Sequence, residues 1–329
     1  MICRFGKTLS YTHRRNIKQA SENVRKLMHS VSPRNYKHKS CTVCNYEDSK
    51  EFCNIGGYIW EICNGCSSLY VSNPPDTKDI ELLYSSGDHV DMTNSIFNRD
   101  SEIYRIEEIM RPKYEFAKSF ISTDKNSWLD VGCGPGEFLS IVKSDGWDVL
   151  GIDADLHNNK LAHENFDVTV LTDYFSSSTL ERIDSRYGVI SLLNILEHVY
   201  APQEMLSMVS LLQSKGDNLI IEVPHFPCIS AYIGMLFPDL IYRVITAPMH
   251  LHLFSIVGLV RMLEMINYRV RARWLFGNDF VDMLEVLGEV ASNDYEVPDF
   301  INNRIINDVQ RVLDENLIGD CMFVVAEKI

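Results

Sequence analysis

The stretch Trp128-Leu-Asp-Val-Gly-Cys-Gly-Pro-Gly-Glu-Phe-Leu139 constrains this chain more than any other. An apolar strand runs to Asp130 and Val131, glycines follow at Gly132, Gly134 and Gly136, and Phe138, Leu139, Ile141 and Val142 open a helix. A glycine turn between a buried strand and a helix lets a ligand approach the backbone, because no Cβ intervenes. The ligand is not a polyphosphate. A P-loop needs Lys and Ser or Thr after the last glycine, and Gly136 is followed by Glu137. A dinucleotide turn needs G-x-G-x-x-G. Here the spacing is G-x-G-x-G, Pro135 removes one backbone N–H, and Glu137 sets a negative charge beside any phosphate.

Around this turn, strands and helices alternate from residue 124 onward. Strands are predicted at Ser127–Val131, Asp148–Ile152, Val168–Leu171, Tyr187–Leu193, Asn218–Val223, Arg269–Phe276 and Cys321–Val325. Helices fit between them at Glu137–Asp145, Asn158–Asn165, Gln203–Leu212 and Ile256–Ile266. The pattern predicts an α/β fold, a seven-stranded, doubly wound, mostly parallel Rossmann-like sheet over residues 124–329. Residues 224–248 and 277–320 are insertions at the carboxyl edge of that sheet, where ligands are covered. The first insertion is rich in Phe, Tyr, Ile and Leu; it suits a pocket cover, an oligomer interface or plain packing. Residues 76–123 read as a helical linker or lid.

Upstream, Cys41-Thr-Val-Cys44 and Cys63-Asn-Gly-Cys66 have the spacing of a four-thiolate structural zinc site, within a module of residues 40–75 too small to fold on its own core. Cys53 lies between the pairs as a bystander. Nine cysteines in a chain whose start lacks an apolar leader fit reduced thiols and metal in a cytoplasmic protein. No apolar run approaches the roughly 20 residues of a membrane span, so no membrane partner is expected. The net charge of −14 is uneven: residues 1–40 hold ten Lys and Arg against the single acid Glu22. This arm, residues 1–39, with a helix between Asn16 and His29, could touch an anionic surface. The simpler expectation is an arm lying on its own acidic body, which would repel nucleic acid.

A ligand without phosphate fits the turn better: S-adenosylmethionine. Asp153, at the end of the second strand, is placed to accept hydrogen bonds from a ribose diol, and it also suits a helix N-cap. Asp173 would meet the adenine amino group, with Tyr174 or Phe175 beside the ring. Asp130 and Glu137 suit a cationic ammonium and sulfonium.

The segments Leu129-Asp-Val-Gly-Cys-Gly-Pro-Gly136, Gly151-Ile-Asp-Ala-Asp155 and Leu193-Asn-Ile-Leu-Glu-His198 together resemble class I S-adenosylmethionine-dependent methyltransferases. The cysteine pairs, Leu69-Tyr70, Asn73-Pro74, Ile221-Glu-Val-Pro224 and His250-Leu-His-Leu-Phe-Ser255 resemble one branch with an N-terminal zinc knuckle, which includes C-methyltransferases of deoxysugar biosynthesis. The chain departs from that branch in Ser67, where glycine is usual, and in ending after the seventh strand without a further domain. The resemblance implies donor contacts from Asp130, Gly132, Cys133, Gly134, Gly136, Asp153, Ala154, Asp173, Tyr174 and Asn194, and a small polar, sugar-like acceptor.

Methyl transfer to a hydroxyl or carbon acid also needs a base, and histidine suits that work. His198 and His225 follow the fourth and fifth strands, next to the glycine turn; each also suits a structural or surface role. Tyr84 matches a tyrosine of the branch that could reach the acceptor, or packs its helix. His250 and His252 are two apart in an extended setting, so they point to opposite sides, and no carboxylate accompanies them at metal-binding spacing. Two rival functions are methylation of RNA or protein, and a non-catalytic module that binds through the knuckle and the basic arm.

Overall fold

The computed structural model describes residues 17–80, 99–183, 186–241, 243–291 and 303–329. Tyr84 and part of the 76–123 segment lie outside them. A seven-stranded sheet runs in the order β10-β11-β8-β7-β4-β5-β6. Its parallel strands are β4 (Ser127–Val131), β5 (Asp148–Asp153), β6 (Val170–Thr172), β7 (Val189–Leu193) and β8 (Asn218–Pro224). The last two, β10 (Tyr268–Phe276) and β11 (Cys321–Lys328), close it antiparallel. Every residue of β8 is buried, as expected of a strand covered on both faces.

Local chemistry explains where the sequence expectation slipped. The helix after β5 spans Leu156–Phe166, because Asp155 caps it: its Oδ1 accepts from His157 N at 2.7 Å. The cap is therefore Asp155, two residues beyond Asp153. Strand β6 starts at Val170 and not Val168, because Val168 N bonds Ala162 O at 3.1 Å and closes the helix end. Arg99–Lys118 is a helix interrupted by a π-helical turn at Arg105–Met110, a feature that often marks functional positions.

The cysteine module is not self-contained. A second sheet, of order β1-β2-β3-β9, joins Ser49–Ile55, Tyr58–Cys63 and Leu69–Val71 to His252–Leu253. Strand β9 comes from the far side of the first insertion, with Leu69 opposite Leu253 and Tyr70 opposite His252. The buried Cys41, Val43, Cys63, Cys66 and Tyr70 pack in one cluster with Leu192, Leu259 and Leu263 of the α/β part. Ser255 caps the helix Ile256–Met265 through Gly258 N at 2.8 Å and donates to Cys66 O. Arg261 reaches Gly65 O at 2.6 Å.

The first insertion is pinned to the second. Ser230 N donates to Asp279 Oδ1 at 3.0 Å, and Arg243 pairs with Asp282 at 3.0 Å and with Asp320. The N-terminal helix Ile17–Ser30 buries Val24, Leu27 and Met28 and sets Lys18 2.9 Å from Glu289 and Arg25 3.5 Å from Asp239, so its cations rest on the acidic body. No described helix is long and apolar enough to cross a membrane.

Gly132 has φ +75°, and a Cβ there would lie 1.9 Å from Ile195 Cδ1. Gly146 has φ +93° with open space around it. Gly132→Ala is expected to cost about 2–4 kcal/mol, combining left-handed strain with overpacking, whereas Gly146→Ala costs about 1–2 kcal/mol from the backbone alone. Urea unfolding measures both, and equal losses would refute the close contact at Ile195.

Candidate functional site

The glycine loop sits at the carboxyl edge of β4. Gly132, Gly134 and Gly136 all have positive φ, and the space beyond the Gly134 Cα is open, whereas Gly132 and Gly136 are packed against Ile195 and Ala162. Of the three, only Gly134 has open space where a Cβ would stand. Gly134 N donates to Asp153 Oδ2 at 2.8 Å, and Asp155 N to Oδ1 at 2.9 Å, so Asp153 is held under the loop with lone pairs to spare. Burial raises its carboxyl above the ordinary range.

Asp130 lies deeper, 2% exposed, and accepts from Ser191 Oγ at 2.5 Å, which in turn accepts from Trp128 Nε1 at 2.9 Å. Burial pushes it up to about 7. Cys133 is buried beneath Gly151, and Ala154 is half-buried after β5. Asp173 follows β6, its N bonded to Asp153 O at 3.3 Å and its carboxylate paired with Arg182 at 2.7 Å. The Tyr174 side chain is exposed beside it. Glu137 does not offer a bare charge: the Arg105 Nε lies 3.0 Å from both carboxylate oxygens, so the charge that seemed to repel phosphate is already compensated.

Across the crevice, Asn194 follows β7 with φ +56°. Its N donates to Glu222 O at 2.9 Å and its Nδ2 to Glu222 Oε1 at 3.2 Å. Glu222 is itself paired with the buried Lys113, 2.7 Å away. Glu222 belongs to the Ile221–Pro224 motif, but its pairing with Lys113 has no signal in the sequence, because nothing local marks Lys113 as buried.

The histidines divide. His198 sits after β7, its Nδ1 2.8 Å from Met249 O and its side chain 25% exposed. His225 is 1% exposed, with Nδ1 2.9 Å from Gly319 O, and burial lowers it to about 4. At that value it is a poor proton acceptor near neutrality. His252 turns into the knuckle, where its Nε2 meets Thr42 Oγ1 at 2.7 Å. His250 turns the other way and its ring meets that of His198 at 4.9 Å. The fold also supplies the carboxylate that sequence spacing lacked: Glu197, His198 and His250 bring ligand atoms within 4.8 Å of one another. Glu197 is 1% exposed, and burial holds its carboxyl well above the usual range.

In the cysteine module all four Sγ atoms lie within 4.8 Å of one another. Cys41 and Cys66 are 3.9 Å apart, Cys44 and Cys63 3.5 Å. Four sulfurs at about 2.3 Å from a tetrahedral ion are roughly 3.8 Å apart, so the spacing fits zinc. Val43 N and Gly65 N donate to the sulfurs of Cys41 and Cys63 at 3.4 and 3.3 Å. Asn45 and Ser67, both at φ +62°, close the two turns, with N bonded to Cys41 O and Cys63 O at 2.8 Å.

His225 gives the site a measurable acid sensitivity. Its folded value of about 4 lies below its ordinary 6.5. The unfolded chain therefore takes up a proton first as pH falls, so this contribution is complete above 6.5 and is lost toward 4. By linkage the loss reaches about 3 kcal/mol. Unfolding free energy measured from pH 7 to pH 4 should fall less steeply in His225→Asn; parallel slopes in the two proteins would show that His225 carries no such shift.

Residues 102–273, more than half of the chain, match the model of a family described as a methyltransferase domain. A ubiquinone biosynthesis O-methyltransferase of Rickettsia bellii is 28% identical over 137 residues, 39% of this chain and 57% of that protein. A mitochondrial ubiquinone biosynthesis O-methyltransferase of Dictyostelium discoideum is 24% identical over 136 residues, 37% of this chain and 42% of that protein. The match thus spans about half the length of these relatives. In fold, the magnesium protoporphyrin IX methyltransferase of Synechocystis PCC 6803, solved with SAH bound, aligns with a TM-score of 0.50 at 12% identity, over 77% of this chain and 100% of its own. The chain belongs to the methyltransferase domain family, with residues 102–273 as its S-adenosylmethionine-dependent methyltransferase domain.

Proposed function

We propose that the protein transfers the methyl group of S-adenosylmethionine to a small polar acceptor of sugar or nucleotide-sugar type. One observation carries the donor half: Gly134 opens onto free space while its amide holds Asp153 at 2.8 Å beside it. A donor seated there would lay its amino-acid end along Gly132–Gly136 and its ribose on the remaining lone pairs of Asp153, with Asp173, Tyr174 and Asn194 around it. Transfer is an in-line displacement, and holding the acceptor against the methyl carbon supplies much of the rate. Support for a hydroxyl as the attacking group comes from the relatives, which are named as O-methyltransferases. His198, at the edge of the crevice, is better suited than the buried His225 to take its proton. The insertion 224–248 then shields the acceptor from water.

Titration calorimetry tests the donor half. Wild-type protein should bind S-adenosylmethionine, and Asp153→Ala should bind it roughly 10- to 100-fold more weakly, the worth of hydrogen bonds to a carboxylate. Absence of binding by the wild type, or equal affinity in the variant, refutes the reading.

The four cysteine thiolates of the module are proposed to hold a structural zinc ion, for which the sulfur spacing is the support. Zinc there would tie Cys41–Cys44 to Cys63–Cys66 and leave no open position for chemistry. Because the module shares its core with the α/β part, chelation should release about one zinc per chain and lower the melting temperature of the whole protein. Metal analysis and calorimetry check this; a chelated protein with an unchanged melting temperature would contradict it.

A further inference from the structure

Glu197 and His198 follow β7, and His250 follows the first insertion. The fold brings their ligand atoms within 4.8 Å of one another. His198 Nδ1 lies 2.8 Å from Met249 O, and His250 Nδ1 2.7 Å from Val244 O. A carbonyl only accepts, so each Nδ1 carries the proton and each Nε2 keeps its lone pair. A carbonyl behind the ring is how metal-ligating imidazoles are oriented and fixed in tautomer. His198 Nε2 stands 3.7 Å from Glu197 Oε1. Glu197 Oε2 is buried with no hydrogen-bond partner among the described residues. A buried carboxylate calls for a cation or a set of donors. Lys113 is engaged by Glu222, and Arg243 by Asp282 and Asp320.

The geometry points to a divalent-metal site made by Glu197, His198 and His250, which holds an oxygen of the acceptor against the donor methyl. Two imidazole nitrogens and one carboxylate suit a first-row transition ion such as Mn²⁺ better than Ca²⁺ or Mg²⁺. Three protein ligands leave positions open for acceptor oxygens. The place is right for that. His198 N bonds Ile195 O at 3.1 Å, and Ile195 lies against Gly132 of the donor loop. Val244 and Met249, which orient the two rings, lie within and just after the insertion proposed to cover the acceptor.

The inference rests on the proposed methyl transfer to a hydroxyl and changes how its proton leaves. The ion lowers the pKa of the coordinated hydroxyl, which gives its proton to solvent. The oxygen then forms the new bond to the methyl carbon while the carbon–sulfur bond breaks. Its electron pair stays on sulfur, leaving neutral S-adenosylhomocysteine. His198 is a ligand in this step and not the base. An acceptor with two neighbouring oxygens, such as a vicinal diol or a hydroxy-ketone, would chelate the ion.

The test uses the full chain with its zinc retained. Mn²⁺ is titrated in and the free ion is counted by electron paramagnetic resonance; Mn²⁺ is chosen because it avoids thiolate sites. Wild type should bind one Mn²⁺ per chain, and Glu197→Gln and His250→Ala should each weaken it roughly tenfold or more. S-adenosylmethionine binding, measured on the same samples, reports on the donor half. Donor binding without a bound Mn²⁺ in the wild type overturns the metal site and leaves the methyltransferase reading standing. Mn²⁺ bound equally by wild type and Glu197→Gln also overturns it. Failure of wild type to bind the donor counts against the methyltransferase reading, whatever the Mn²⁺ result. The near-isosteric Glu197→Gln decides the matter if His250→Ala does not fold.

Discussion

The packing of Ile195 against Gly132 is the contact on which the site depends. A Cβ at Gly132 would lie 1.9 Å from Ile195 Cδ1, so the loop after β7 can close on the glycine turn only because that atom is missing. The closure sets Asn194, Glu197 and His198 beside the crevice. Gly136 makes the same kind of approach to Ala162, at 2.9 Å, and fixes the helix that follows β5. Between them Gly134 is left unpacked, its amide turned to Asp153. Two glycines of the turn thus serve packing, and the third has open space beside it, where the donor is proposed to lie.

Around the turn the protein keeps charge buried in compensated pairs. Lys113 with Glu222, Arg105 with Glu137, and Arg243 with Asp282 and Asp320 each join segments distant in the chain. Breaking such a pair by removing one partner costs about 3–5 kcal/mol, because the other charge is then stranded. Glu197 departs from this pattern: its Oε2 is buried and, among the described residues, unpartnered. The cysteine module follows the same logic of shared interiors. Its sheet takes its fourth strand from His252–Leu253, and its sulfurs pack in the same cluster as Leu259 and Leu263. It buttresses the histidine segment from behind, with Thr42 on His252, while His250 on the opposite side faces His198.

Much of this was legible in the sequence. The parallel strands read as apolar runs, because a strand covered on both faces must be apolar throughout. The two C-x-x-C pairs announced their sulfur cluster, because each knuckle is a local turn. Errors fell where a local hydrogen bond outweighed the pattern: Asp155 took the helix cap, and Val168 closed the helix and did not begin a strand. The charge of Glu137 was misjudged because its partner, Arg105, comes from a distant π-helical turn.

What the sequence by itself determined is the α/β scaffold and the glycine turn proposed to hold the donor. Both are built from contiguous strand–turn–helix units, whose periodicity and glycines act over a few residues. What only the tertiary structure decided is the arrangement proposed as the acceptor half. Strand β9 is two residues long, the insertion is held by Asp279, Asp282 and Asp320 from elsewhere in the chain, and Glu197 meets His250 only after both have folded. Burial of a charge and the direction of an imidazole depend on what surrounds them in space. Neither has a signature along the chain.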